Sequence, residues 1–270
     1  MSTWHQNETG GLTWRERPGT GDTLVLLHGI GSNAISFAGL LPHLGSLARV
    51  IAWNAPGYGG STPLDTYWPQ ASDYADALLR LFDAAGINQA VLVGHSLGCL
   101  MAGAFTAAHH DRVARLVMAS PALGHGVPRG EQLSVAAQTR IDELERLGPE
   151  AFADLRAARL VYQPEENPQT LAIVRRSMAQ VSLPGYAQAA RMLASGRLLD
   201  DAERISVPTD VIVGSEDVVT PPDGAARLHQ TLHAPARGKL VQVPGVGHAL
   251  YQQCPSEFAK ALELEPELAG

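Results

Sequence analysis

Short apolar runs rich in Val, Leu and Ile alternate along the chain with longer stretches in which apolar residues recur three and four positions apart. That alternation predicts a mostly parallel sheet wrapped by helices, an α/β architecture. Leu24 to Leu27 reads as a buried strand ending at His28-Gly29, and Phe37 to Leu47 as a short amphipathic helix. Arg49 to Trp53 is the next strand, and the Pro- and Gly-rich stretch from Asn54 to Pro63 is a long turn. Asp73 to Ala85 is a helix stopped by Gly86, followed by a strand at Gln89 to Val93, a helix at Leu97 to His109 and a strand at Arg115 to Ala119.

The alternation then breaks. From about Gly124 to Leu199 the pattern is helical throughout, at Leu133 to Leu147, Glu150 to Val161, Gln169 to Val181 and Tyr186 to Leu198. Strand and helix resume as Thr209 to Val213, Asp223 to Leu232, Lys239 to Val243 and Pro255 to Leu264. The pattern therefore predicts one sheet domain, residues 1–123 and 200–270, carrying an inserted helical cap at 124–199. The length of 270 residues fits one domain with an insertion as well as it fits two domains.

The chemistry gathers at the predicted strand ends. Gly94-His95-Ser96-Leu97-Gly98 lies between a strand and a helix. A serine on so sharp a turn needs small residues two positions away on either side, and its hydroxyl projects above the sheet beside a helix N-terminus. Ser96 is thus a candidate nucleophile, and it needs a base, which in turn needs an orienting acid. His248 follows the last predicted strand in Pro244-Gly245-Val246-Gly247-His248, placed to lean over the sheet. Other histidines fall elsewhere: His5, His43, His125, His229 and His233 lie in terminal, surface-helix or inserted segments, and His109-His110-Asp111 reads as a helix C-cap.

Two acids, Glu216 and Asp217, follow the strand at 209 to 213. Asp217 is favoured, because the later carboxylate of a polar turn is the one aimed inward. An oxyanion needs two donors, and the backbone N–H groups of Ile30, in His28-Gly29-Ile30-Gly31, and Leu97 are the candidates. His28 is expected to bond backbone and hold that loop. Cys99 reads as a small buried packer, and Trp53 and Trp68 as core.

Composition narrows the partners. Lys and Arg total 20 against 27 Asp and Glu, a net charge of −7, so there is no basic field for nucleic acid. Two cysteines with no metal-ligand spacing point away from a disulfide scaffold or a metal, and no motif calls for a cofactor. No apolar run approaches the roughly 20 residues of a membrane helix. Met1 to Gly11 lacks the features of a secretory signal. A cytoplasmic protein acting on a small molecule is expected. Oligomeric state is left open, a homodimer being one state the sequence allows.

Taken in order, HGIGSN at 28–33, NAPGYGGS at 54–61, GHSLG at 94–98, GSEDVVTP at 214–221 and GVGHALYQQCP at 245–255 resemble the α/β-hydrolase superfamily over nearly the whole chain. The resemblance is to its cap-bearing branch of esterases, enol-lactonases, meta-cleavage product hydrolases and serine-dependent haloperoxidases. It implies Ser96 as nucleophile, His248 as base, Asp217 as acid, Ile30 and Leu97 as oxyanion donors, and a cap over the acyl pocket. Ester or lactone cleavage is the expected reaction. Carbon–carbon bond hydrolysis of the meta-cleavage type is the alternative, weakened because those enzymes carry a GNSMGG-like elbow and a tryptophan after the histidine. A ligand-binding member without turnover is a third reading. In the cap, Phe152, Leu160, Tyr162, Met178, Met192 and Leu193 are expected to line a pocket, and Arg159, Arg175, Arg176 and Arg191 are candidates for meeting a substrate carboxylate.

Overall fold

The computed structural model describes residues 4–45 and 48–262. An N-terminal hairpin, β1 (His5–Thr9) and β2 (Leu12–Arg17), leads into β3 (Thr23–Leu27) and β4 (Arg49–Asn54). Next come α1 (Ala71–Ala84), β5 (Ala90–His95), α2 (Leu97–Ala108) and β6 (Val113–Ala119). Four helices follow without an intervening strand among the described residues: α3 (Val135–Arg156), α4 (Pro168–Met178), α5 (Leu183–Ser195) and α6 (Leu198–Ala202). The chain closes with β7 (Thr209–Gly214), α7 (Pro222–Thr231), β8 (Arg237–Val243), α8 (Leu250–Gln253) and α9 (Pro255–Leu262).

The eight strands form one sheet in the order β1-β2-β4-β3-β5-β6-β7-β8. Only the β1–β2 and β2–β4 pairs are antiparallel. The order runs outward from β3 in both directions, so helices cover both faces. Side chains alternate accordingly: Val25, Leu27, Leu92, Leu116, Met118, Val211 and Val213 pack on the α1 and α2 face. Leu24, Leu26, Val93, Val117 and Ile212 pack on the other, against Phe37, Tyr251 and Phe258. Strands buried on both faces read as unbroken apolar runs, which is why the interior strands are visible in the sequence.

Register sets the site. Leu27 pairs with Gly94, His95 with Ala119, and Gly214 with Val243. The carboxyl ends of β3, β5, β6, β7 and β8 therefore finish at one edge, the place where open α/β sheets bind ligands.

Several boundaries differ from expectation. The helix expected at Phe37 to Leu47 is a 3-10 run at Ala34–His43, because the Asn33 side chain caps it early by accepting the Ile35 N–H at 3.1 Å and Pro42 interrupts it; Leu47 lies outside the described residues. Glu263 and Leu264, expected to end the last helix, also lie outside them. The two helices expected at Leu133 to Leu147 and Glu150 to Val161 form one run kinked at Gly148, whose φ of 73° only glycine adopts at low cost. The β1–β2 hairpin carries no expectation in the sequence, because β1 is largely exposed and has no apolar face.

Candidate active site

Ser96 sits between β5 and α2 with φ 55° and ψ −115°, a region costly for any residue with a side chain. Its N–H donates to Ala119 O at 2.9 Å, tying the turn to β6. The two flanking glycines are there for space. A Cβ on Gly94 would lie 2.6 Å from Gly98 O, and one on Gly98 would lie 2.4 Å from Leu27 O. Strand and helix approach so closely that any larger residue would push the turn apart.

The structure brings Ser96, His248 and Asp217 together. Ser96 Oγ lies 3.0 Å from His248 Nε2, and His248 Nδ1 lies 2.9 Å from Asp217 Oδ2. All three are buried. Asp217 Oδ1 accepts the Val219 and Thr220 N–H groups, each at 2.9 Å, and Oδ2 accepts the Thr220 hydroxyl at 2.9 Å. Burial alone would raise the Asp217 pKa. The hydrogen bond from His248, its charge and the Thr220 N–H outweigh burial and hold the carboxyl at about 2. Glu216, the other acid candidate, instead accepts from Ser215 Oγ on the surface.

The loop after β3 closes over the serine. A Cβ on Gly29 would come within 3.1 Å of Ser96 Cβ. His28 holds this loop as expected: Nδ1–H donates to Gly29 O at 2.8 Å, and Nε2 accepts the Ala55 N–H at 3.1 Å. Burial drives its pKa down to about 4, so the ring stays neutral and keeps that tautomer. Tyr58 Oη donates to Ile30 O at 2.9 Å and turns the next peptide. Neither the Ile30 nor the Leu97 N–H donates to an acceptor among the described residues.

His95, between Gly94 and Ser96, also supports the site. Its Nε2–H donates to His248 O at 2.8 Å, so the ring holds the backbone of the histidine facing Ser96. Its Nδ1 is buried without a partner among the described residues, and burial together with the neighbouring His248 lowers its pKa to about 3. Tyr251 packs edge-on against His95, ring centroids 4.9 Å apart, and its hydroxyl meets Ser36 Oγ at 2.8 Å. Neither role was readable from residue type. Cys99 is fully buried, with S–H donating to Gly94 O at 3.1 Å, and burial pushes its thiol pKa up, so it packs rather than reacts.

Ser96 and His248 open into a cavity of about 540 Å³, enclosed from above by α3, α4 and α5. Of the apolar residues expected to line it, Phe152, Leu160, Met178 and Leu193 do. Tyr162 and Met192 do not; Met192 is fully buried in the core instead. Among the arginines, Arg159 stands at the cavity, whereas Arg175 pairs with Glu150 and Asp154 on the outer surface and Arg176 is not on the wall. Arg191 faces a different hollow, its guanidinium 3.8 Å from the Tyr67 ring centroid. Arg140, Arg156 and Tyr186, which carry no motif, line the cavity. Among the described residues no three His, Cys, Asp or Glu side chains are placed to hold a metal ion, and no helix is long and apolar enough to cross a membrane.

The model of the alpha/beta hydrolase family matches residues 24–261. Among curated relatives, (E)-2-((N-methylformamido)methylene)succinate hydrolase of Acinetobacter baylyi is 25% identical, covering 91% of this chain and 90% of that protein. A thermophilic esterase from Thermogutta terrifontis, solved with malate bound, superposes with a TM-score of 0.81 at 25% identity, over 96% of this chain and 95% of that one. The enol-lactonase from Burkholderia xenovorans shares the fold, with a TM-score of 0.83 at 23% identity, over 96% and 98%. With the family model matching from β3 into α9 and the strand edge built as described, the chain belongs to the alpha/beta hydrolase family and is a hydrolase.

Proposed function

We propose that the protein cleaves a carboxylic ester or lactone of a small organic molecule through an acyl-enzyme on Ser96. One observation carries the reading: the unbroken chain Ser96 Oγ, His248 Nε2, His248 Nδ1, Asp217 Oδ2, with contacts of 3.0 and 2.9 Å, beside a cavity of about 540 Å³. His248 takes the Ser96 proton as Oγ attacks the carbonyl carbon, and returns it to the leaving alcohol. Asp217 holds the imidazole in the tautomer that leaves Nε2 free. The N–H groups of Ile30 and Leu97 receive the developing oxyanion, where a single donor is worth roughly 3 kcal/mol. Water then attacks the acyl carbon by the same route. In this reading residues 124–199 are the cap, covering a catalytic domain of residues 1–123 and 200–270 and selecting the substrate.

The similarity to an esterase and an enol-lactonase supports this assignment. The elbow and the buried Ala249 after His248 weigh against the carbon–carbon alternative, which expects a tryptophan there. A fluorophosphonate probe is expected to add to Ser96, detected by intact mass and abolished in Ser96→Ala, and short aryl esters are expected to turn over. No labelling and no turnover, with tight ligand binding retained, would mean a binding protein. A dienoic meta-cleavage product consumed far faster than any ester would mean carbon–carbon hydrolysis.

A further inference from the structure

Resting on that reading of the site, we infer that the substrate carries a carboxylate, received by Arg140 and Arg156 from α3 and by the Tyr186 hydroxyl from α5. All three line the cavity that holds Ser96. The kink at Gly148 folds α3 so that Arg156, eight residues beyond it, returns to Glu143 before it, with Nε donating to Glu143 Oε2 at 3.0 Å. Arg140 lies one turn before Glu143 on the same helix. Glu143 is the one acidic residue on the cavity wall among the described residues, so one carboxylate stands against two guanidinium groups. Arg140 has no hydrogen bond or ion pair among the described residues.

Arg140 and Arg156 are both half-buried, and partly desolvated cations favour an opposite charge; the two share the single Glu143 carboxylate. Phe152 covers one side of Arg156, its ring centroid 5.2 Å from the guanidinium carbon. Tyr186 is 3% exposed, and its hydroxyl has no partner among the described residues while facing the cavity. Burial keeps that phenol protonated, a donor, and the charges of Arg140 and Arg156 reach it. The Arg140 guanidinium, the N–H groups of Arg156 not turned to Glu143 and the Tyr186 phenol supply donors for a carboxylate, and the exposed Arg159 adds a third cation on the cavity wall. Much of the remaining wall is apolar, with Ile30, Leu123, Leu160, Met178 and Leu193, beside the polar His125, Ser177, Thr220 and Gln252, so the arginines are the main charge the cavity offers a ligand. The net charge of −7 gives no hint of this, because the field is local to the cavity.

The test compares para-nitrophenyl hemisuccinate, hemiglutarate and hemiadipate with uncharged para-nitrophenyl butyrate, pentanoate and hexanoate. For at least one chain length the wild-type protein is expected to favour the anionic ester in kcat/KM by roughly tenfold or more, the worth of one charge-assisted hydrogen bond. Arg140→Gln is expected to lower that anionic-to-neutral ratio by roughly tenfold, chiefly through KM, and Arg140→Lys to restore part of it. Glu143→Gln should move the ratio the other way. Arg140 is half-buried and has no ion pair among the described residues, so its variants are expected to fold, with thermal melting as the check. Equal kcat/KM for anionic and neutral esters at every length, or a ratio indifferent to Arg140 and Glu143, would overturn the carboxylate inference and leave ester cleavage standing. Turnover of no ester, together with no fluorophosphonate labelling of Ser96, would overturn both.

Discussion

Asp217→Asn separates geometry from charge at the candidate site, because the surroundings dictate which way the new amide faces. Oδ1 accepts two backbone N–H groups, from Val219 and Thr220, each at 2.9 Å. Turning the amide so that its NH2 met those donors would cost roughly 1–3 kcal/mol for each lost acceptor, about 2–6 in all. The asparagine oxygen therefore stays at the Oδ1 position, and the NH2 takes the Oδ2 position, facing His248 Nδ1 at 2.9 Å. A donor there demands a lone pair on Nδ1, which puts the ring proton on Nε2. That proton faces Ser96 Oγ, and the base is blocked.

Returning the ring to the useful tautomer then sets N–H against N–H, at a cost within the same 2–6 kcal/mol. A loss in kcat on the order of 10⁴-fold, about 5 kcal/mol of barrier, is expected. The assay is kcat on para-nitrophenyl butyrate beside the rate of fluorophosphonate addition, both of which need the base. The folded state should also report the change. With a folded pKa of about 2 against an ordinary 3.8, the wild-type carboxylate contributes about 2 kcal/mol of stability. That contribution is present above pH 3.8 and lost as pH falls through 2; the amide has none to lose. Activity within tenfold of wild type in a well-folded Asp217→Asn protein would refute the argument that Asp217 sets the His248 tautomer.

Gly98→Ala places its Cβ 2.4 Å from the Leu27 carbonyl oxygen, in a strand pinned by pairing with β5. The overpacking cost of roughly 1–3 kcal/mol should lower Tm by about 2–12 °C by calorimetry, and kcat should fall about 100-fold as the elbow shifts; a neutral result in both would refute it. Stability should also drop on mild acidification. His28 and His95 have folded pKa values of about 4 and about 3 against an ordinary 6.5, so below pH 6.5 the unfolded chain takes up protons that the folded one refuses. Each should cost about 2 kcal/mol between pH 7 and pH 5, read from urea midpoints, and His95→Asn should remove one share. An identical pH slope in that variant would contradict the assignment.

The strands and the edge they share were legible because their chemistry is local. A strand covered on both faces must be apolar throughout, so β3, β5, β6 and β7 announce themselves. The turn at Ser96 announces itself as well, since strand and helix pack so closely there that positions 94 and 98, two residues away on either side, have room only for glycine. Parallel register then carries Asp217 and His248 to that same edge, which is why residues 121 and 152 positions from Ser96 could be named beforehand. The β1–β2 hairpin was not legible. Its outer strand has no buried face to pattern it.

What the sequence determined by itself is the fold class, the turn at Ser96 and the glycines that shape it, because each is a demand that backbone geometry makes on single positions, and it offered His248, Asp217 and Glu216 as candidates at the same strand edge. What only the tertiary structure decided is the cavity wall above them. Arg175 and Arg140 are both arginines on amphipathic helices, and nothing in their neighbours distinguishes one from the other. Arg175 meets Glu150 and Asp154 outside, while the Gly148 kink and the packing of α5 turn Arg140, Arg156 and Tyr186 inward. Helical periodicity fixes which residues share a face; which face looks into the chamber depends on how the helices cross, and that is settled by contacts far apart in the chain.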